Sequence, residues 1–373
     1  MSDDVPTPDK VEGAPHPRET AMLYGQGAAE RAFLTAFASD RLHHAWLLTG
    51  PRGVGKATLA WRIARFLLAT PPSADDGLFG APPPPQSLDI DPEHPVARRM
   101  LAGAEPGLAA VTRTVNEKGR LRDEIVVDDI RRLGRFFGLS AADGGRRVVI
   151  VDSADEMNVS AANALLKMLE EPPARTTILL ISHQPSRLLP TIRSRCRALR
   201  LSALGPGDLQ DALAQTGCEI PGDPTHLAAL AAGSVGDAIR LTTLGGLGMY
   251  SELVGILASL PRLDRQRALK LAEGATGRGM AERFDLTLML FDILLARLAR
   301  TGAAGQPPQP EAAPGEAETL LRLSPDQAAA KRWAEEAATI TGRMRHGQAV
   351  NLDPAALVLD TVFRIEQTAG QRT

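Results

Sequence analysis

Cysteine is nearly absent, with two residues in 373, Cys196 and Cys218. Two thiols cannot build a disulfide framework or a four-thiolate zinc site, and neither lies in a C-x-x-C pair. The chain therefore reads as reduced and intracellular, with the cytoplasm as the expected location. An excess of one charge is lacking too: 42 Lys and Arg face 44 Asp and Glu, a formal net charge of −2. No global positive field draws such a chain onto nucleic acid, so any DNA contact has to be local or shared with partners. Long apolar runs are missing as well. The most apolar late stretch, Phe284 to Leu298, is interrupted by Asp285, Asp292 and Arg297, which reads as a core helix and not a membrane span. The first residues are acidic and Pro-rich, without the basic and apolar regions of an export signal.

What the chain does have is enough apolar content, 44% over 373 residues, to pack two or three domains. Its sharpest feature is Gly50-Pro51-Arg52-Gly53-Val54-Gly55-Lys56-Ala57. This is the G-x-x-x-x-G-K-[ST] phosphate loop with its last place changed. Glycines let backbone N–H groups wrap phosphates, the lysine reaches the outer ones, and the final hydroxyl holds Mg²⁺. Ala57 cannot do the last of these. Thr58 has a hydroxyl, but on the following helix it sits about 100° round from the required face. Gly50, Gly53, Gly55, Lys56 and Thr58 are thus candidate nucleotide contacts, with a metal ligand missing.

The order around the loop fits the motif. Ala45 to Thr49 is an apolar strand, and Leu59, Ile63, Phe66 and Leu67 follow at helical spacing. Arg147 to Asp152 reads as a buried parallel strand ending in an acid, and Asp152 can hold Mg²⁺ through water across from the loop. Asp128 is a candidate cap for a helix with Ile130, Leu133 and Phe137 on one side. Ser160 starts another, with Ala162, Leu165, Leu166 and Leu169 inward until Pro172 and Pro173 stop it. Thr176 to Ser182 is a further strand. Strands alternating with helices up to about Leu201 predict a doubly wound parallel sheet with its ligand at the strands' carboxyl ends. Beyond it the pattern is all helical.

Hydrolysing phosphate-loop proteins place a glutamate after the strand-ending aspartate to orient water. Here Ser153 stands there, a poor base at neutral pH. Asp155 and Glu156, just beyond, read as a solvated helix entry. The run Ser160-Ala-Ala-Asn-Ala-Leu-Leu-Lys-Met-Leu-Glu-Glu-Pro-Pro173, followed by Pro190-Thr191-Ile192-Arg193-Ser194-Arg195-Cys196, resembles the AAA+ clamp-loader family, its delta-prime members in particular, over residues 18 to about 241. The resemblance implies an α/β AAA+ P-loop domain with a small helical lid and an all-α C-terminal collar. It implies that Arg195 is an arginine finger reaching into a neighbouring subunit's nucleotide site. Ser182 falls where the family keeps a polar residue that senses γ-phosphate, although a plain strand-end serine is the equal alternative. Gly236 falls where active members carry a lid arginine.

Expected boundaries follow: a disordered tail over 1–17, the nucleotide-binding domain over 18–201, the lid over 202–245, and the collar over 250–370 with a flexible insert at 301–315. Delta-prime relatives often carry a four-cysteine zinc module where residues 70–106 lie. That stretch has no cysteine, so no zinc is expected, and His43, His44 and His94 read as strand-entry and surface residues. Arg131, Arg132 and Arg135 read as a solvated helix face, with DNA phosphates or a next subunit as the alternative. Implied partners are gamma/tau and delta clamp-loader subunits, with the sliding clamp and primed DNA reached through the complex, and no membrane. Two alternatives stay open: an active gamma/tau-like ATPase in which Thr58 and Asp155 compensate, and a subunit that holds ATP or ADP, with weak Mg²⁺ binding, as a structural ligand.

Overall fold

The run Ala45-Trp46-Leu47-Leu48 offers no polar face to water, so it folds as a strand only if covered on both sides. The computed structural model describes residues 8–11, 13–39, 42–70, 83–138, 145–220, 222–275 and 281–370, and it places this run inside a five-stranded parallel sheet. The chain divides into two units. The first holds Met1–Thr216 with Gly233–Gly236, and the second Gly217–Ala232 with Asp237–Thr373.

In chain order the first unit contains α1 (Gly27–Ala38), β1 (Ala45–Thr49), α2 (Lys56–Ala69), α3 (Pro95–Leu101), β2 (Leu108–Val111), α4 (Val127–Gly138), β3 (Arg147–Val151), α5 (Val159–Glu170), β4 (Thr176–Ser182), α6 (Pro190–Ser194), β5 (Arg197–Arg200) and α7 (Pro206–Thr216). The sheet order is β2-β3-β4-β1-β5. Thr49 pairs with Ser182, Val151 with Leu180, and Trp46 with Arg197. Because all neighbours are parallel, every strand ends at the same edge. The chain leaves β1 for one side of the sheet and β4 for the other, so a crevice opens at the carboxyl ends between them.

Both faces are covered. Leu47, Val149, Val151, Ile178 and Leu180 meet Ile130 and Leu133 of α4 and Ala161, Leu165 and Leu169 of α5. On the opposite face α2 packs across β1, β3 and β4, with Leu59, Ile63 and Leu67 fully buried. Each such side chain contributes about 1.5–3 kcal/mol. β4, buried along all of its 7 residues, forms the middle of the sheet.

Several elements differ from expectation. β2 and β5 have four residues each and little strand signature, since Leu-Ala-Ala-Val is small and Arg-Ala-Leu-Arg is polar. They become strands by pairing at the two edges. α4 is capped through Asp129, not Asp128: its buried carboxylate accepts from Thr114 Oγ1 at 3.1 Å and from the Val126 N–H at 3.0 Å. α5 begins one residue early, with Asn158 accepting from the Ala161 N–H at 2.9 Å. Within residues 70–106, α3 forms with His94 as its cap, Nδ1 accepting from the Val96 N–H at 3.2 Å. Residues 71–82 of that stretch lie outside the described ones. The tail expected over 1–17 is also different: residues 1–7 and 12 are outside the described set, but His16 is only 6% exposed and Pro8, Asp9 and Val11 before it are half-buried. Its polar composition hid that, because the burial is local and rests on one histidine.

The second unit is helical: α8 (Pro224–Ala231), α9 (Val235–Thr243) from Asp237 onward, α10 (Gly246–Ser259), α11 (Arg265–Gly274), α12 (Ala281–Ala304), α13 (Glu316–Leu323), α14 (Gln327–Ala349) and α15 (Pro354–Gly370). Asp223, Asp264 and Asp326 cap α8, α11 and α14 through first-turn N–H groups. α12 runs along α14, and α15 packs on α11 and α14. At Gly302 a Cβ would stand 2.4 Å from the Asp326 carbonyl oxygen, so only glycine allows that approach.

The insert expected to be flexible at 301–315 is held in place. Thr301 and Gly302 belong to α12. Buried Arg297 donates to Glu316 (Nε–Oε1 2.6 Å, Nη2–Oε2 2.9 Å) and to the carbonyls of Pro308 and Pro310 at 3.2 and 2.9 Å. Tyr250 Oη donates to Glu316 at 2.5 Å, and the Ala312 N–H does so at 2.6 Å. Proline-rich composition predicts freedom, but a buried guanidinium that satisfies loop carbonyls removes it. Among the described residues no single helix is long and apolar enough to cross a membrane.

Candidate functional site

The phosphate loop leaves β1 through Gly50, where a Cβ would stand 2.4 Å from the Leu201 carbonyl oxygen, and it enters α2 through Gly55 at φ 94°. A side chain is excluded at the first and strained at the second. Lys56 is buried, and its Nζ donates to the carbonyls of Gly50 and Pro51 at 2.8 and 2.5 Å. Burial pulls the ammonium down to about 8, against the upward pull of Asp152 and Asp155. Thr58 is half-buried two positions further on.

Asp152 follows β3 beside the loop. Burial, then the charge of Asp9, lifts its carboxyl to about 7, and the Ser153 hydroxyl donates to it at 3.2 Å. Ser153 Oγ also lies 2.9 Å from His183 Nε2. Burial and then the Lys56 charge push this imidazole down to about 4, so it is neutral at pH 7. Ser182 is wholly buried at the end of β4, and its hydroxyl has no hydrogen-bond partner among the described residues. The sheet register thus brings Gly50, Lys56, Asp152 and Ser182 to one edge.

Asp155 is not a solvated helix entry. It is 8% exposed, and its carboxylate accepts from the N–H groups of His183 and Gln184 at 3.1 and 3.0 Å. A carboxylate so engaged ties the end of β4 to the turn after β3 and is not available as a base. Glu156 pairs with Arg113 at 2.8 Å. His183 escaped the sequence reading. Its only signal was a second polar residue directly after Ser182.

The loop as arranged does not fit a nucleotide. The Lys56 ammonium serves the loop's own carbonyls, and the segment Gly233–Gly236 lies on Gly53. The Gly236 N–H donates to the Gly53 carbonyl at 3.2 Å, and a Cβ on Gly53 would meet Ser234 Oγ at 2.2 Å. Gly236, where an arginine was looked for, makes this approach possible because it has no side chain.

Arg195 lies elsewhere. It follows α6 and precedes β5, whose first residue is level with Trp46 and whose last is level with Thr49. β5 itself spans about 10 Å, so Arg195 sits beyond the amino end of the sheet while the phosphate loop sits at the carboxyl end. Its guanidinium donates to the Thr191 carbonyl at 3.0 Å and pairs with Glu170 at 2.9 Å, and the side chain is 37% exposed. Neighbouring Cys196 has its thiol pushed up to about 12 by burial, which makes it an inert packing group. Arg131 and Arg132 pair with Asp128 and Asp129 of their own helix.

Residues 25–205 match the family model described as "DNA polymerase III, delta subunit". The DNA polymerase III subunit delta' of Pseudomonas aeruginosa is 38% identical over 245 residues, which cover 65% of this chain and 68% of that one. The chain belongs to the delta-prime family of DNA polymerase III subunits. The delta' subunits of Escherichia coli and Bacillus subtilis are 33% and 31% identical, and the matches span 57% and 59% of their lengths, under two thirds in each. The tau subunit of Salmonella typhimurium is 30% identical over 273 residues, 69% of this chain and 38% of that one. Among solved structures, a gamma-subunit-related protein of Thermotoga maritima is 17% identical with a TM-score of 0.43, covering 90% of this chain and 99% of that chain. For this family member the matched residues contain the whole sheet, the phosphate loop and Arg195.

Proposed function

We propose that this chain, a clamp-loader subunit by family, serves DNA replication by lending Arg195 to the nucleotide site of a neighbouring ATPase subunit while hydrolysing nothing itself. The observation that carries this is the separation of Arg195 from the chain's own phosphate loop. A half-exposed guanidinium at the amino end of the sheet is of no use to a triphosphate at the carboxyl end, but a second subunit can place its own triphosphate there. A fixed guanidinium offsets charge developing on the transferring phosphoryl group, and supplying it in trans makes hydrolysis depend on assembly. Glu170 and the Thr191 carbonyl hold the group in place beforehand.

The chain's own site supports the other half of the reading. Ala57 lacks the metal hydroxyl, Ser153 lacks the water-orienting carboxylate, and Gly236 lacks the lid cation. Asp155 is occupied by backbone N–H groups, which removes the compensation that an active ATPase would need. The partners are gamma/tau-type ATPase subunits and a delta subunit, with the sliding clamp and primed DNA engaged by the complex. This reading requires no zinc.

The test is reconstitution with those partners and comparison of wild type with Arg195→Ala. The served site should lose on the order of 10³-fold in turnover, with total DNA-dependent ATP hydrolysis falling by that site's share and clamp loading falling with it. Unchanged turnover and loading would leave Arg195 without this role, and rapid ATP hydrolysis by the isolated chain would contradict the rest.

A further inference from the structure

The N-terminal segment runs along the carboxyl edge of the sheet, where a doubly wound fold holds its ligand. Pro8 and Asp9 line a cavity with Thr112, Arg113 and Thr114, just past the end of β2. Asp9 is near enough to Asp152, past the end of β3, for its charge to be the second-largest influence on that carboxyl. Val11 lies 3.7 Å from the place of a Cβ on Gly236, the residue that in turn rests on Gly53. Four residues therefore pass from the end of β2, by the acid after β3, to the loop after β1. Leu23 adds a second cover, since its Cδ1 is 2.5 Å from the place of a Cβ on Gly55.

We propose that Pro8–Val11 is a built-in occupant of the nucleotide crevice, so that a nucleoside di- or triphosphate binds only when this segment leaves. The segment is anchored for that purpose. His16 is buried with its Nδ1 accepting from the Arg18 N–H at 3.1 Å, which puts its proton on Nε2, 3.0 Å from Asp9 Oδ2. The ring stands edge-on to Trp61 at 5.5 Å. Trp61 is on α2, the helix that begins with Lys56, so anchor and phosphate loop share one rigid element. The Val11 carbonyl accepts from the Ala14 N–H at 3.1 Å and closes the turn between crossing and anchor. Asp9 also excludes by charge, because its carboxylate stands near Asp152, where an incoming phosphate would bring further negative charge. A segment tethered this close competes at an effective concentration in the millimolar range or above.

This inference is independent of the role given to Arg195 and is tested on the isolated full-length chain. Equilibrium binding of fluorescently labelled ADP is measured for wild type, Asp9→Ala, and Val11→Gly, which changes no charge. If the segment fills the crevice in nine of ten molecules or more, each variant should bind at least about tenfold more tightly than wild type, and the gain should vanish when Lys56→Ala is added. Hydrogen exchange gives the second readout: excess ADP should speed exchange over residues 8–16 of wild type. Equal affinity in wild type and both variants, a gain that survives Lys56→Ala, or binding to wild type with unchanged exchange over that segment would each overturn the proposal.

Discussion

At Asp152 a carboxyl sits between a lysine that wants it charged and a burial that does not. Its value of about 7 lies above the ordinary 3.8. Between those two pH values the folded chain therefore binds more protons than the unfolded one, and stability from this group falls as pH rises. Asp152→Asn removes that loss. Its advantage over wild type in urea unfolding should grow as pH rises from about 4 to 7, reach at most about 4 kcal/mol, and level off above. Lys56 and His183 act in the opposite sense, since both are lowered and both gain stability as pH rises through their own windows, about 8 to 10.5 and 4 to 6.5. An advantage for Asp152→Asn that does not grow across the same range would mean that the folded-state carboxyl is already ionised. The residue identities here were legible in the chain, Gly50 to Lys56 by motif and Asp152 by its place after an apolar strand. Their protonation was not, because it depends on burial and, at Asp152, on the charge of Asp9, which is far away in sequence.

Among the elements, the long ones announce themselves and the short ones do not. β1, β3 and β4 are apolar runs that need burial on both faces, and α2 and α5 show helical spacing, so all five follow from pattern. β2, β5 and α3 are too short to carry a period; pairing or a single cap makes them. The proline-rich turn between α12 and α13 is the sharpest case. Its carbonyls are tied down by Arg297, and Arg297 is neutralised by Glu316, from a different helix. Glu316→Ala would leave the guanidinium buried without its partner and Tyr250 without its acceptor. The expected cost is about 3–5 kcal/mol, read by thermal or chemical unfolding. A loss below about 1 kcal/mol would show that the turn is held by other contacts.

For the whole molecule, the division into two units gives a prediction of independence. Asp155 ties β4 to the turn after β3 in the first unit, and Asp155→Ala takes the acceptor from two part-buried N–H groups at a total cost of about 1–3 kcal/mol. Glu316 acts in the second unit, and the two residues share no partner among the described residues. Their effects should add in the double variant to within about 0.5 kcal/mol; a larger departure would mean that the two networks are coupled. The chain by itself determined the sheet's class, the phosphate loop with its missing hydroxyl, and the resemblance that singles out Arg195, because these rest on local pattern and short motifs. Only the tertiary structure decided that Asp155 is spoken for, that the proline-rich turn is fixed, that the N-terminal segment crosses the crevice, and that Arg195 stands at the far end of the sheet from Lys56. Each of these is a distance between residues remote in sequence, set by strand register and burial, and no local pattern encodes it.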